Sequence, residues 1–148
     1  MIEVLHVHRL ASDAPHPVGV GTPNEAGFKA VNDRFGHAAG DRLLQVVELR
    51  LQQCMRGHDT VARLGGDEFV LVLTQLHGES ECKRILERVL RKVEEPVEVG
   101  PDQTGTVSAS NGVAFCPKDS QDPDELMRLA DAAMYAAKRA GKNAVRGV

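Results

Sequence analysis

The 148 residues carry 18 Lys and Arg against 21 Asp and Glu, a formal charge of −3, so the chain lacks a basic footprint for nucleic acid and must meet any polyanion with a local cluster. With 42% hydrophobic and 26% charged residues of mixed sign, it reads as one ordinary globular domain, long enough to bury a core and not disordered. Trp is absent, no apolar run is long enough to span a membrane, and the three cysteines are far apart without a CxxC pair; these features argue against a base-stacking platform, a membrane protein, a disulfide framework and a zinc site.

Residues 1–8 lack a basic stretch followed by an apolar one, so no secretory signal is expected; with unpaired thiols this predicts a cytoplasmic protein. Ile2 to Val7 could supply a strand that replaces one missing from the glycine-rich segment after it. His6 and His8 would then face one way and could bind metal, or simply be exposed polar positions. Residues 11–27 are rich in Pro, Gly, Ser and Asp and read as loop; Pro17-Val18-Gly19-Val20-Gly21 is too glycine-rich for a buried central strand.

Regular signals follow. Leu43, Leu44, Val47, Leu51 and Met55 recur at three- and four-residue steps, predicting an amphipathic helix with Asp41 at its N-cap. Residues 60–64 and 69–73 are two apolar runs joined through Gly65-Gly66, a hairpin signal. A second helix begins at Ser80, buries Ile85, Leu86, Val89, Leu90 and Val93, and stops at Pro96. Residues 97–99 and 106–115 read as strands. Asp122-Pro123-Asp124-Glu125 opens a third helix, with Asp122 as cap and Glu125 closing a capping box. Leu126, Leu129, Ala133, Met134 and Ala137 line its inner face and Gly141 ends it; residues 144–146 read as a last short strand. The order predicts an α+β fold, an α/β sandwich whose central, mostly antiparallel sheet is flanked by helices.

The hairpin departs from plain turn chemistry. Asp67 and Glu68 follow the glycines at the head of a hydrophobic strand. Adjacent carboxylates repel, and suit a hard cation that keeps room for substrate phosphates. Glycines let a phosphate approach the backbone. A solvated turn is the plain alternative.

Gly65-Gly66-Asp67-Glu68-Phe69 resembles the signature of the GGDEF family of diguanylate cyclases. Upstream, Phe28-Lys29, Asn32-Asp33, Gly36-His37 and Gly40-Asp41 resemble the family's FKxxND and GHxxGD segments. Downstream, Ala130-Asp131-Ala132-Ala133-Met134-Tyr135-Ala136-Ala137-Lys138 and Gly141-Lys142-Asn143 are similar to its ADxAMYxAK helix. The resemblance covers residues 27–148, leaving 1–26 as an atypical N-terminal segment, and implies a palm-like nucleotidyl-cyclase fold. It also implies that two domains in a homodimer each hold one GTP and together form cyclic di-GMP, with Mg²⁺ or Mn²⁺ as cofactor and no nucleic-acid partner.

The resemblance implies roles residue by residue. Asn32 and Asp41 match the pair that reads guanine, whose N1–H and N2–H groups suit a carboxylate acceptor. Asp41 as a mere helix cap is the alternative. Asp67 matches a metal ligand, and Glu68 a metal ligand or the base for the attacking hydroxyl. Gly65 and Gly66 match the phosphate-contacting turn; Lys138 and Lys142 match phosphate-binding cations, with Lys142 where Arg is more usual. Arg56 and Asp59, the latter separated from Gly65 by five residues, match the inhibitory product site. The chain departs from the family where an Asp-x-Asp precedes the Gly-Phe-Lys segment: gapless alignment places Asn24 and Ala26 there, with Glu25 the nearby acid. In another alignment Gly21-Thr22-Pro23-Asn24 resembles an earlier family turn, and the first strand is deleted outright. Two functions follow: an active cyclase, or an impaired domain that binds cyclic di-GMP or GTP as a receptor.

Overall fold

A computed structural model describes residues 2–5, 16–23, 25–65, 68–107, 109–140 and 145–147. In chain order the elements are β1 (Ile2–Leu5), β2 (His16–Pro23), α1 (Glu25–Phe35), α2 (His37–Cys54), β3 (Thr60–Gly65), β4 (Glu68–Val72), α3 (Glu79–Glu94), β5 (Val97–Gly100), β6 (Gln103–Gly105), β7 (Ala109–Cys116), α4 (Pro123–Ala140) and β8 (Val145–Gly147). A six-stranded sheet forms the centre, and β5 and β6 make a separate two-stranded one. The antiparallel pairs β3–β4, β4–β2 and β2–β7 make up its middle. β8 joins β7 in parallel, and β1 runs parallel to both β4 and β7. β1 and β2 address the same stretch of β4: Phe69 and Val70 are register partners of Val4 and Leu5 and also of Gly21 and Val20.

The period of two along β4 sorts the layers. Phe69 and Leu71 are fully buried with Leu43, Val47 and Leu51 of α2 and Val89 and Val93 of α3. Val70 turns to the opposite face and packs with Leu126, Ala130 and Met134 of α4. Leu73, Leu76, Cys82, Ile85, Leu86 and Val113 fill the space between the outer part of α3 and β7. Arg50 of α2 donates to the carbonyls of Lys92, Glu95 and Pro96, satisfying the end of α3. All three cysteines are free and buried, and burial, then the Glu79 charge, pushes the Cys82 thiol up to about 12. Among the described residues no helix is long and apolar enough to cross a membrane.

Several expectations are corrected. Asp41 does not cap a helix: α2 begins four residues earlier at His37, after Gly36, whose φ of 93° only glycine adopts without cost. A separate helix, α1, precedes it, with Phe28, Val31 and Phe35 spaced along its packed side. The glycine-rich residues 17–21 are in a sheet-interior strand after all, paired with β4 on one side and β7 on the other. Hydrogen bonds on both edges override weak intrinsic strand propensity. The predicted strand at 106–115 begins at Ala109, while Gln103–Gly105 pairs with β5. Asp122 does cap α4, accepting from the Asp124 N–H at 3.1 Å, but no capping box forms: the Asp122 N–H donates to Ser120 Oγ at 3.0 Å and Glu125 accepts from Arg128. Gly141, proposed to end α4, lies outside the described residues, as do His6 and His8.

One polar group interrupts the core. Asn111 of β7 is fully buried, and among the described residues neither Oδ1 nor Nδ2 has a hydrogen-bond partner. It shares the α2 and α3 face with Ala109 and Val113. An unpaired buried amide costs about 1–3 kcal/mol. Asn111→Val is therefore expected to raise the unfolding free energy by about 1–2 kcal/mol in urea titration, with an unchanged slope. A loss of stability would show that the amide has a partner in solution.

Candidate functional site

The best-defined part of the site is the corner between α1 and α2. The α1 backbone closes on Gly36, whose N–H donates to the Asn32 carbonyl at 2.8 Å. The chain then turns into α2 so that Gly40 backs onto Asn32. A Cβ at position 40 would overlap the Asn32 carboxamide, its Cγ lying 2.7 Å away. Gly40 is buried, whereas Asp41, the next residue, is exposed and Asn32 half-buried. The structure thus brings Asn32 beside the backbone that carries Asp41. An amide and a carboxylate presented together suit a partner that offers adjacent donors and an acceptor.

The hairpin brings a second set of polar groups. Gly65 pairs with Glu68, after a register shift between Arg63 and Gly65. Gly66 and Asp67 lie outside the described residues. Glu68 opens β4 half-buried. Two residues from Val70, it shares the sheet face covered by α4. The carboxyl of Asp131 on α4 is raised above its usual range, first by partial desolvation and then by the Glu68 charge. Sequence reading gave Asp131 no role, although it lies in the quoted Ala130-Asp131 segment. Carboxylates are the hard oxygen donors that Mg²⁺ or Mn²⁺ prefers, so Glu68 suits such an ion in its donor chemistry. Among the described residues no group of three or more metal-ligating side chains assembles. Lys138 belongs to α4, but its side chain, and all of Lys142, lie outside the described residues. Asn24 is outside them too, while β2 ends at Pro23 and α1 opens at Glu25 with Ala26 next.

Arg56 and Asp59 stand together, but they are already engaged. The Asp59 side chain is fully buried and accepts from the Arg56 N–H and Nε–H at 2.9 Å and from Arg56 Nη2 and the Thr74 N–H at 3.1 Å. Arg56 Nη2 also donates to the Thr74 carbonyl at 2.7 Å, and Nη1 to Glu81 at 3.0 Å. The cluster joins the end of α2, the exit of β4 and the start of α3. Burial alone would raise the Asp59 carboxyl, but the hydrogen bonds from Arg56 and Thr74, with the Arg56 charge, hold it below 3.8.

The family model described as "Diguanylate cyclase, GGDEF domain" matches residues 6–144. The chain belongs to the GGDEF family. Over 117 residues this GGDEF chain is 44% identical to the bifunctional diguanylate cyclase/cyclic di-GMP phosphodiesterase MucR of Pseudomonas aeruginosa, covering 79% of this chain and 17% of MucR. It is 37% identical over 116 residues to the cyclic di-GMP phosphodiesterase NbdA of the same species, covering 78% of this chain and 15% of NbdA. The chain therefore spans less than a fifth of either curated relative. Among solved structures, the GGDEF domain of TpbB from P. aeruginosa superposes with a TM-score of 0.84 at 34% identity, over 90% of this chain and 82% of that one. The GGDEF domain of DgcB from Caulobacter crescentus, in complex with c-di-GMP, gives 0.76 at 28% identity, over 90% and 77%. The helices around a mostly antiparallel sheet are those of a GGDEF domain.

The Asp59 cluster yields a pH-dependent prediction. Because its folded-state carboxyl titrates below 3.8, its contribution is complete above that value and is lost as pH falls through the lower, folded value. Asp59→Asn is expected to cost about 3 kcal/mol near neutral pH. Urea unfolding of both proteins is expected to show that gap holding down to about pH 3.8 and closing below it. A gap independent of pH would contradict the assignment.

Proposed function

We propose that this chain is a diguanylate cyclase domain in which two copies face each other, each holding one GTP. Residues 27–148 are the catalytic unit in this reading, and residues 1–26 an atypical N-terminal segment. The observation that most supports it is the Asn32 carboxamide seated on Gly40 beside Asp41. That arrangement suits guanine, whose N1–H and N2–H groups an acceptor takes while the amide both gives and takes.

Each 3′-hydroxyl attacks the α-phosphorus of the other nucleotide. The new O–P bond replaces the bridging bond to the β-phosphate, and pyrophosphate leaves. The hydroxyl proton passes to a carboxylate, a role that falls to Glu68 at the head of β4. Gly65 and Gly66 present backbone to the phosphates, and Lys138 and Lys142 add positive charge. Asp67 and Glu68 would hold Mg²⁺ or Mn²⁺, which when bound neutralises phosphate charge. A homodimer is required because each domain supplies half of the reaction. Unpaired thiols suit a reducing cytosol, the setting we assign.

A second reading keeps the nucleotide and drops the turnover. Neutral Asn24 stands where the family has an acidic ligand, and NbdA, named only as a phosphodiesterase, matches this chain as well. The domain would then be a receptor for GTP or for cyclic di-GMP at Arg56 and Asp59.

Incubation with GTP and Mg²⁺ or Mn²⁺, followed by chromatography, is expected to yield cyclic di-GMP, with a rate per domain that rises with protein concentration. In the same series Gly40→Ala is expected to retain the fold, since alanine favours helix by about 1 kcal/mol. It would displace Asn32 and weaken GTP binding about tenfold. Absence of product at high concentration, with GTP still bound, would favour the receptor.

A further inference from the structure

We propose that Glu81 is a built-in competitor at the Arg56 site, holding the arginine away from an anionic guanine dinucleotide until that ligand displaces it. This rests on the reading that the chain takes cyclic di-GMP at Arg56 and Asp59. The guanidinium has five N–H donors. Asp59 takes the Nε and one Nη2 donor, and the Thr74 carbonyl takes the other on Nη2. The Asp59 side chain is fully buried, so that edge is structural. What remains is Nη1 with its two N–H groups, and Glu81 Oε1 accepts from Nη1 at 3.0 Å.

Glu81 is held in this position from its own side. Its second oxygen accepts from the His77 N–H at 2.7 Å, just ahead of α3. The two side chains reach the surface, Arg56 27% and Glu81 22% exposed. A phosphodiester oxygen or a guanine edge seeks the same donor that the carboxylate occupies. An anionic ligand that approaches Nη1 therefore meets the Glu81 carboxylate already paired there, and must displace it or bear its repulsion. Thr74 and Asp59 keep the guanidinium plane in place while that exchange occurs.

Calorimetric titration with cyclic di-GMP tests the idea on the wild type, Glu81→Gln and Arg56→Ala. Gln keeps an acceptor for the His77 N–H but gives up the charge. Glu81→Gln is expected to bind about three- to fivefold more tightly than wild type, the effect of losing a part-exposed ion pair. Arg56→Ala is expected not to bind. Glu81→Asp, which falls one methylene short, is expected to tighten binding too and guards against a folding defect in the first variant. If the wild type binds and neither substitution tightens it, the competitor is overturned while the product-site reading stands. If no variant binds, both fall.

Discussion

Strand β4 is the constraint on which the rest depends. Phe69 and Leu71 are fully buried under α2 and α3, and Val70 under α4, so both faces of this strand are fixed at once. Burying each such side chain contributes about 1.5–3 kcal/mol. Exposed ion pairs such as Lys92–Glu95 and Arg128–Glu125 are weakened by solvent and cannot set the register. A slip of one residue would exchange Phe69 and Val70 between the two layers. The apolar pattern therefore decides where the chain places Glu68, the first residue of the strand.

That placement has a cost. Glu68 shares a face with α4, and its charge helps to raise the carboxyl of Asp131. Like charges repel without a cation between them, and such local conflicts are expected where a domain handles ligands. The Asn32–Gly40 contact is a similar concession: a buried glycine weakens α2, yet any larger residue would evict the carboxamide. The Arg56–Asp59 cluster differs, because its hydrogen bonds are satisfied internally. It braces α2, β4 and α3 first, and any ligand must work around that brace.

Much of this was legible in the sequence. The three-and-four spacing of Leu43, Val47 and Leu51, and of Ile85, Val89 and Val93, named buried faces because helix geometry repeats. The two apolar runs around Gly65-Gly66 named the β3–β4 pair. Propensity failed at β2, where Gly19 and Gly21 weaken a strand that its neighbours hold on both edges. It also missed α1, although Phe28, Val31 and Phe35 recur there at three- and four-residue steps. The contacts of Arg56 with Thr74 and Glu81 join residues 18 and 25 apart in the chain, beyond any local pattern. Asp131 escaped because its meeting with Glu68 depends on how α4 crosses the sheet.

The central claim is that a rigid β4 presents the acidic hairpin, with the α1–α2 corner, to a guanine nucleotide. Amide hydrogen exchange with and without GTP and Mg²⁺ tests it most directly. The account predicts slow exchange through β4 in both states, with ligand-dependent protection confined to peptides covering residues 65–68 and 32–41. Rapid exchange in β4, or protection that appears only elsewhere, would contradict it.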